Sequence, residues 1–168
     1  MAATSSDLIS LGLPAALAEK IAKRTISFPA NAGAVGGTAG WTNANATGTA
    51  RCPASQTAST FRIPVTLPVG TKIKSFTING QIESGGNTAT LDADLRATTG
   101  VAAEPTDASL GAITQVSVTA DTLVASSKTL ATVATVTAGL SYYILLTATT
   151  GASTDIQVLS AEVVVDGI

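Results

Sequence analysis

From Phe61 onward, large apolar residues recur at every second position: Phe61, Ile63, Val65 and Leu67 alternate with Arg62, Pro64, Thr66 and Pro68. This is the period of a half-buried β-strand. Pro64 cannot donate to a ladder, which places the strand at a sheet edge. A second run sets Phe76, Ile78 and Ile82 against Ser75, Thr77, Asn79, Gln81 and Glu83. Ser84-Gly85-Gly86-Asn87 reads as a hairpin turn, and a return strand alternates Ala89, Leu91, Ala93 and Leu95 with Thr90, Asp92, Asp94 and Arg96. Gly100 and Pro105 mark a loop, after which 113–119, 128–137, 141–149 and 155–165 continue the series. The 128–137 segment is ambiguous, because Leu130, Val133 and Val136 also fit a helical period. About seven or eight closely spaced strands predict an all-β antiparallel sandwich or jelly roll over residues 61–168.

The pattern changes upstream. Residues 1–24 predict a short α-helical N-terminal arm: Ser5, Ser6 or Asp7 caps a first turn holding Leu8, Ile9 and Leu11, and Gly12 ends it. Pro14 suits the first position of a second helix. Leu17 and Ile21 share a face of that helix, while Lys20, Lys23 and Arg24 crowd its C-terminal end, where the dipole favours cations. So short a helix needs a partner surface. Residues 25–60 form a separate zone that from Pro29 onward is mostly Pro, Asn, Gly, Ala, Thr and Ser, with Val35, Trp41 and Cys52 as the apolar exceptions. They predict a linker, or an extended arm ordered by another surface, with Trp41 as its anchor because a lone Trp in such a run usually fills a pocket. Leu8, Leu11, Leu17, Ile21 and Trp41 are the candidate interface residues.

Composition narrows the function. Nine basic and eleven acidic residues leave a net charge of −2, too little positive charge for nucleic acid or an anionic membrane surface. No stretch approaches the roughly 18 apolar residues of a membrane span. The N-terminus has no basic region followed by an apolar core, so no signal peptide is expected. The chain has no histidine, which removes Ser-His-Asp and Cys-His catalysis and His-based zinc sites. Cys52 has no candidate partner. The glycine-rich run Gly33–Gly40 lacks the ending of a phosphate loop. Asp92 and Asp94 share a strand face and are candidates for calcium or for glycosidic chemistry, but Arg96 beside them favours a solvent-facing polar strip. Asp121 and Asp155 read as turn residues. Tyr142 and Tyr143 must point to opposite faces, one into the core and one exposed or interfacial. No enzyme activity, cofactor or metal is expected.

The opening run Asp7 to Ala22 resembles the short N-terminal helix of small structural proteins of tailed-bacteriophage virions. The segment from Phe61 to Arg96, with its Leu-Pro-Val-Gly turn and Gly-Gly hairpin, resembles jelly-roll domains of phage head-decoration and fibre proteins, as does Ala138-Gly-Leu-Ser-Tyr-Tyr-Ile-Leu-Leu146. The resemblance implies a capsid decoration, or cement, protein made in the host cytoplasm. It would sit on the virion surface, bind the major capsid protein and form a homotrimer. The alternative is a fibre or receptor-binding module that recognises a host glycan.

Overall fold

The computed structural model describes residues 10–12, 23–35, 40–44, 47–99 and 106–166. Runs rich in Val, Ile and Thr, whose branched side chains suit a pleated surface, form two antiparallel sheets. The first sheet runs β10 (Thr122–Thr135), β6 (Lys72–Glu83), β12 (Asp155–Asp166), β4 (Thr49–Cys52) and β3 (Thr42–Ala44), and β1 (Lys23–Pro29) also pairs with β12. The second runs β2 (Ala34–Val35), β5 (Ser59–Val65), β11 (Leu140–Thr149), β7 (Ala89–Thr99) and β8 (Asp107–Ala112), with β9 (Val116–Val118) on β7. The result is a jelly-roll β-sandwich.

The core lies between the sheets. Ile73, Phe76, Ile78, Ile82, Ile156 and Val158 of the first face Phe61, Ile63, Leu91, Leu95, Ile144 and Leu146 of the second, and all twelve are fully buried. Each such side chain contributes about 1.5–3 kcal/mol relative to exposure. The alternation predicted for residues 61–67, 76–83 and 89–96 is the alternation observed. Pro64 lies beyond the two-residue β2, where no strand among the described residues pairs with β5 on that side, as its missing donor requires.

Four expectations need correction. Ser84–Asn87 is a tight turn, closed by Asn87 N–H donating to the Ser84 carbonyl at 2.9 Å, with Gly85 and Gly86 at φ +54° and +82°. It is not a hairpin: β6 pairs with β10 and β12, β7 with β11, β8 and β9, and the turn carries the chain from one sheet to the other. Local chemistry reverses the chain; it does not choose the strands' partners. The ambiguous 128–137 segment is the end of β10, where the register shifts between Thr129 and Ala134. That bulge breaks the period of two and creates the apparent helical spacing. β8, at Asp107–Ala112, occupies ground read from sequence as loop.

The fourth correction concerns residues 25–60. Their described parts are neither linker nor arm. β1 and β4 lie end to end along the same edge of β12, and β2 borders β5. Ala30, Trp41, Ala50 and Cys52 are buried in the common core. Lys23 and Arg24 begin β1 and do not end a helix. The small side chains that argued against a core are what let these strands pack close. A Cβ on Gly33 would land on the Arg62 carbonyl oxygen and the Phe61 ring.

Candidate functional site

Of the five candidate interface residues, Leu8, Leu17 and Ile21 lie outside the described residues. Leu11 sits in a turn with Gly12 at φ +88° and is 77% exposed. Trp41 is 2% exposed and belongs to the sandwich's own interior, so its anchoring of a neighbour is corrected. Its indole Nε1 donates to the Ser59 carbonyl at 3.0 Å, and its ring meets Phe61. The chain folds its own pocket around the one Trp.

The same is true of the other aromatics. Phe61 and Phe76 are fully buried, Phe28 is half-buried, and Tyr142 and Tyr143 are each 8% exposed. Tyr142 points inward. Tyr143 points outward, as alternation demands, but the Arg62 guanidinium lies 4.9 Å over its ring. Its hydroxyl donates to Asp107 Oδ2 at 2.7 Å. Neither tyrosine is exposed. With five of the six aromatics buried and Phe28 packed partly against the core, the surface has no aromatic platform on which a sugar ring could stack.

Asp92, Asp94 and Arg96 do share the outer face of β7. There Arg96 bridges Asp94 at 2.6 Å and Asp107 at 3.0 Å, Ser109 donates to the other Asp94 oxygen, and Gln115 donates to Asp92. The hydrogen bond that Arg96 donates to the Asp107 carboxylate is the main reason the guanidinium is held more strongly protonated than usual. For Asp107, burial is the largest single influence and opposes ionisation. The bonds from Tyr143, Arg96 and Thr98 together outweigh it and hold the carboxyl below its ordinary range. These groups satisfy one another and tie β8 to β7 and β11. Among the described residues, no three His, Cys, Asp or Glu side chains gather where they could hold a metal ion.

Asp155 opens β12 and forms an ion pair with Arg51 of β4, and Asp121 accepts the Ser84 N–H at 2.9 Å. Cys52 is fully buried; burial, followed by the charge of Asp155, pushes its thiol up to about 11 against hydrogen bonds with Ser59 and Thr150. A thiol so held is not a nucleophile at neutral pH.

The outer face of the first sheet is different. Across β10, β6, β12 and β4 the register aligns Leu123, Gln81, Gln157 and Arg51 in one row. Beside this row the β6–β12 pairing slips between Val158 and Ser160, and the extra residue, Leu159, projects outward at 53% exposure. Leu123 is 83% exposed. Between the two leucines lies a groove of about 440 Å³, with Asn79, Gln81 and Gln157 along it. Gln81 donates to Glu83 at 3.0 Å and Asn79 to Ser160 at 3.4 Å, whereas the Gln157 amide makes no hydrogen bond among the described residues. Arg51 is neutralised by Asp155. The groove therefore presents amide donors and acceptors between two apolar walls, without an unpaired charge. Sequence reasoning passed over it because polar residues on an outer face are the ordinary pattern, and the bulge that raises Leu159 has no local signature.

No protein-family model and no curated protein sequence matches the chain. Solved structures do. The chain is similar to the CBM36-1 domain of a multidomain xylanase from the hindgut metagenome of Trinervitermes trinervoides, with 14% identity and a TM-score of 0.50 over 86% of this chain and 98% of that one. The CBM22-1 and GH10 modules of a Clostridium thermocellum xylanase, complexed with xylohexaose, align at 13% identity and TM-score 0.48 over 87% of this chain but only 28% of that one. A carbohydrate-binding module CBM36 in complex with calcium and xylotriose aligns at 17% identity and TM-score 0.44, over 83% and 98%. At 14% identity the likeness to the CBM36-1 domain is one of fold alone, and that fold is the jelly-roll β-sandwich.

Proposed function

We propose that this chain is a non-catalytic recognition module whose first-sheet groove binds a neutral glycan. The observation that carries the reading is the unpaired Gln157 amide, aligned with Gln81 and Asn79 between exposed Leu123 and Leu159. Amide groups donate and accept at once, which matches the hydroxyls of a sugar. The leucines supply apolar surface for its C–H faces, and the paired state of Arg51 favours an uncharged ligand. The volume falls within the roughly 300–1,000 Å³ range of ligand sites. The CBM36-1 domain, with its TM-score of 0.50, supports the class through its shared fold. Without aromatic stacking the affinity belongs near the millimolar level, about −4 kcal/mol.

Titration calorimetry with soluble neutral oligosaccharides tests this. Binding to the native chain, at least tenfold weaker in Gln157→Ala and Leu123→Ala at unchanged thermal midpoint, supports the groove. Binding that both substitutions leave intact, or none across a broad glycan panel, sinks it.

The second reading is the decoration protein on a capsid, bound to the major capsid protein. It draws on β10, an edge strand with Lys128 as its one charged residue and Val133 exposed. Such an edge is suited to pairing with another chain. Copy number in purified particles separates the two: hundreds over a head favour decoration, a few favour a fibre module.

A further inference from the structure

A second concavity lies at the end of the sandwich where β5 passes to β6 and β10 passes to β11. It encloses about 320 Å³, and Val65, Leu67, Val69, Val136, Leu140 and Tyr142 supply its apolar lining. Val65, Val136 and Tyr142 form a buried floor, while Val69 stands at the lip, 67% exposed. The backbone around it is already bonded internally. Gly70 N–H donates to the Val136 carbonyl and Val136 N–H to the Thr71 carbonyl, both at 2.8 Å. The Tyr142 hydroxyl accepts from Thr137 N–H at 3.1 Å and donates to the Thr135 carbonyl at 3.2 Å. No charged side chain lines the slot. It has little to offer a polyhydroxyl ligand and much to offer aliphatic side chains.

The register shows what lies nearby. Lys23 pairs with Asp166, Asp166 with Lys72, and Lys72 with Thr135, the residue before Val136. The chain preceding β1 therefore leaves the sandwich at the slot's own end. That chain carries Leu8, Leu11, Leu13, Leu17 and Ile21, an apolar set with no counterpart elsewhere upstream of the sheets. Leu11 is 77% exposed while Val69 is 67% exposed, so a single copy covers neither. Each residue of an extended segment spans up to about 3.3–3.6 Å, so Leu17, six positions before Lys23, can stand well clear of its own sandwich.

We propose that the slot receives the N-terminal segment of a second copy of this chain. Because β1 begins at the slot's end of the molecule, two copies meeting end to end can exchange their N-terminal segments reciprocally, the geometry of a closed two-fold contact. The proposal requires no glycan and stands apart from the groove on the sheet face.

Sedimentation of the full-length chain, compared with Val69→Asp and Leu17→Asp, is the first test. The native chain should self-associate, and each substitution should weaken association at least tenfold while the thermal midpoint holds. Cysteine pairing in a Cys52→Ala background identifies the occupant. Leu17→Cys chains mixed with Val69→Cys chains of different mass should form the mixed disulfide under copper–phenanthroline oxidation. A native chain that stays monomeric at about 100 µM, roughly −5.5 kcal/mol on the affinity scale, overturns the proposal. So does a doubly substituted chain that closes only an intramolecular bridge, which would show the segment lying in its own slot.

Discussion

The Trp41 indole sits 5.4 Å, centroid to centroid, from the Phe61 ring and is tilted against it by 33°. The contact joins the segment before β3 to β5 of the opposite sheet, and the Nε1 bond to the Ser59 carbonyl ties the indole to the same strand. Trp41→Ala should therefore destabilise the fold by about 3–5 kcal/mol, the usual cost of emptying so large a site. Trp41→Phe should cost less, about 0.5–1.5 kcal/mol, chiefly through the lost hydrogen bond to the Ser59 carbonyl. Urea unfolding measures both. Loss of association without loss of stability would return Trp41 to the role of a subunit anchor.

Gly33 makes a prediction that backbone preference alone misses. Its φ of −80° is open to any residue, so the constraint is space. Gly33→Ala must displace the Arg62 backbone or the Phe61 ring, and a loss of about 1–3 kcal/mol is expected, as for overpacking. An unchanged unfolding midpoint would show that β5 yields more easily than its packing implies.

Cys52 should be inert to a thiol reagent at pH 8 in the native state and react at once in denaturant. Its folded pKa, about 11, lies above the ordinary thiol value. Its contribution to stability is then fully present below roughly pH 8.5 and is lost as pH rises through 11. Stability curves of the native chain and Cys52→Ala should diverge across that alkaline window. Parallel curves would argue against the buried neutral thiol.

Asp107 works in the opposite direction. Its folded pKa is depressed, so what it adds to stability is present above about pH 4 and disappears as pH falls through the folded value. Asp107→Asn should lower the thermal midpoint slightly at neutral pH, since a carboxylate 38% exposed is screened by water. The gap to the native chain should close in acid. A gap that persists at pH 2 would mean that the substitution acts through packing.

The alternation of β5, β6, β7, β11 and β12 was legible in the chain because each strand buries one face, and a period of two records that directly. The outward placement of Asp92, Asp94 and Arg96 followed from the same rule. Three matters belonged to the tertiary structure alone. Pairing across 80 residues or more, as between β4 and β12, leaves no local trace, so a Gly-Gly turn that links two sheets reads as a hairpin. The strands within residues 25–60 carry side chains too small to announce a core. They are buried because the sandwich closes over them, and Trp41 and Cys52 go inside with them. The groove beside Gln157 exists because the β6–β12 register slips by one residue at Leu159, and only the fit of two long strands decides where such a slip falls.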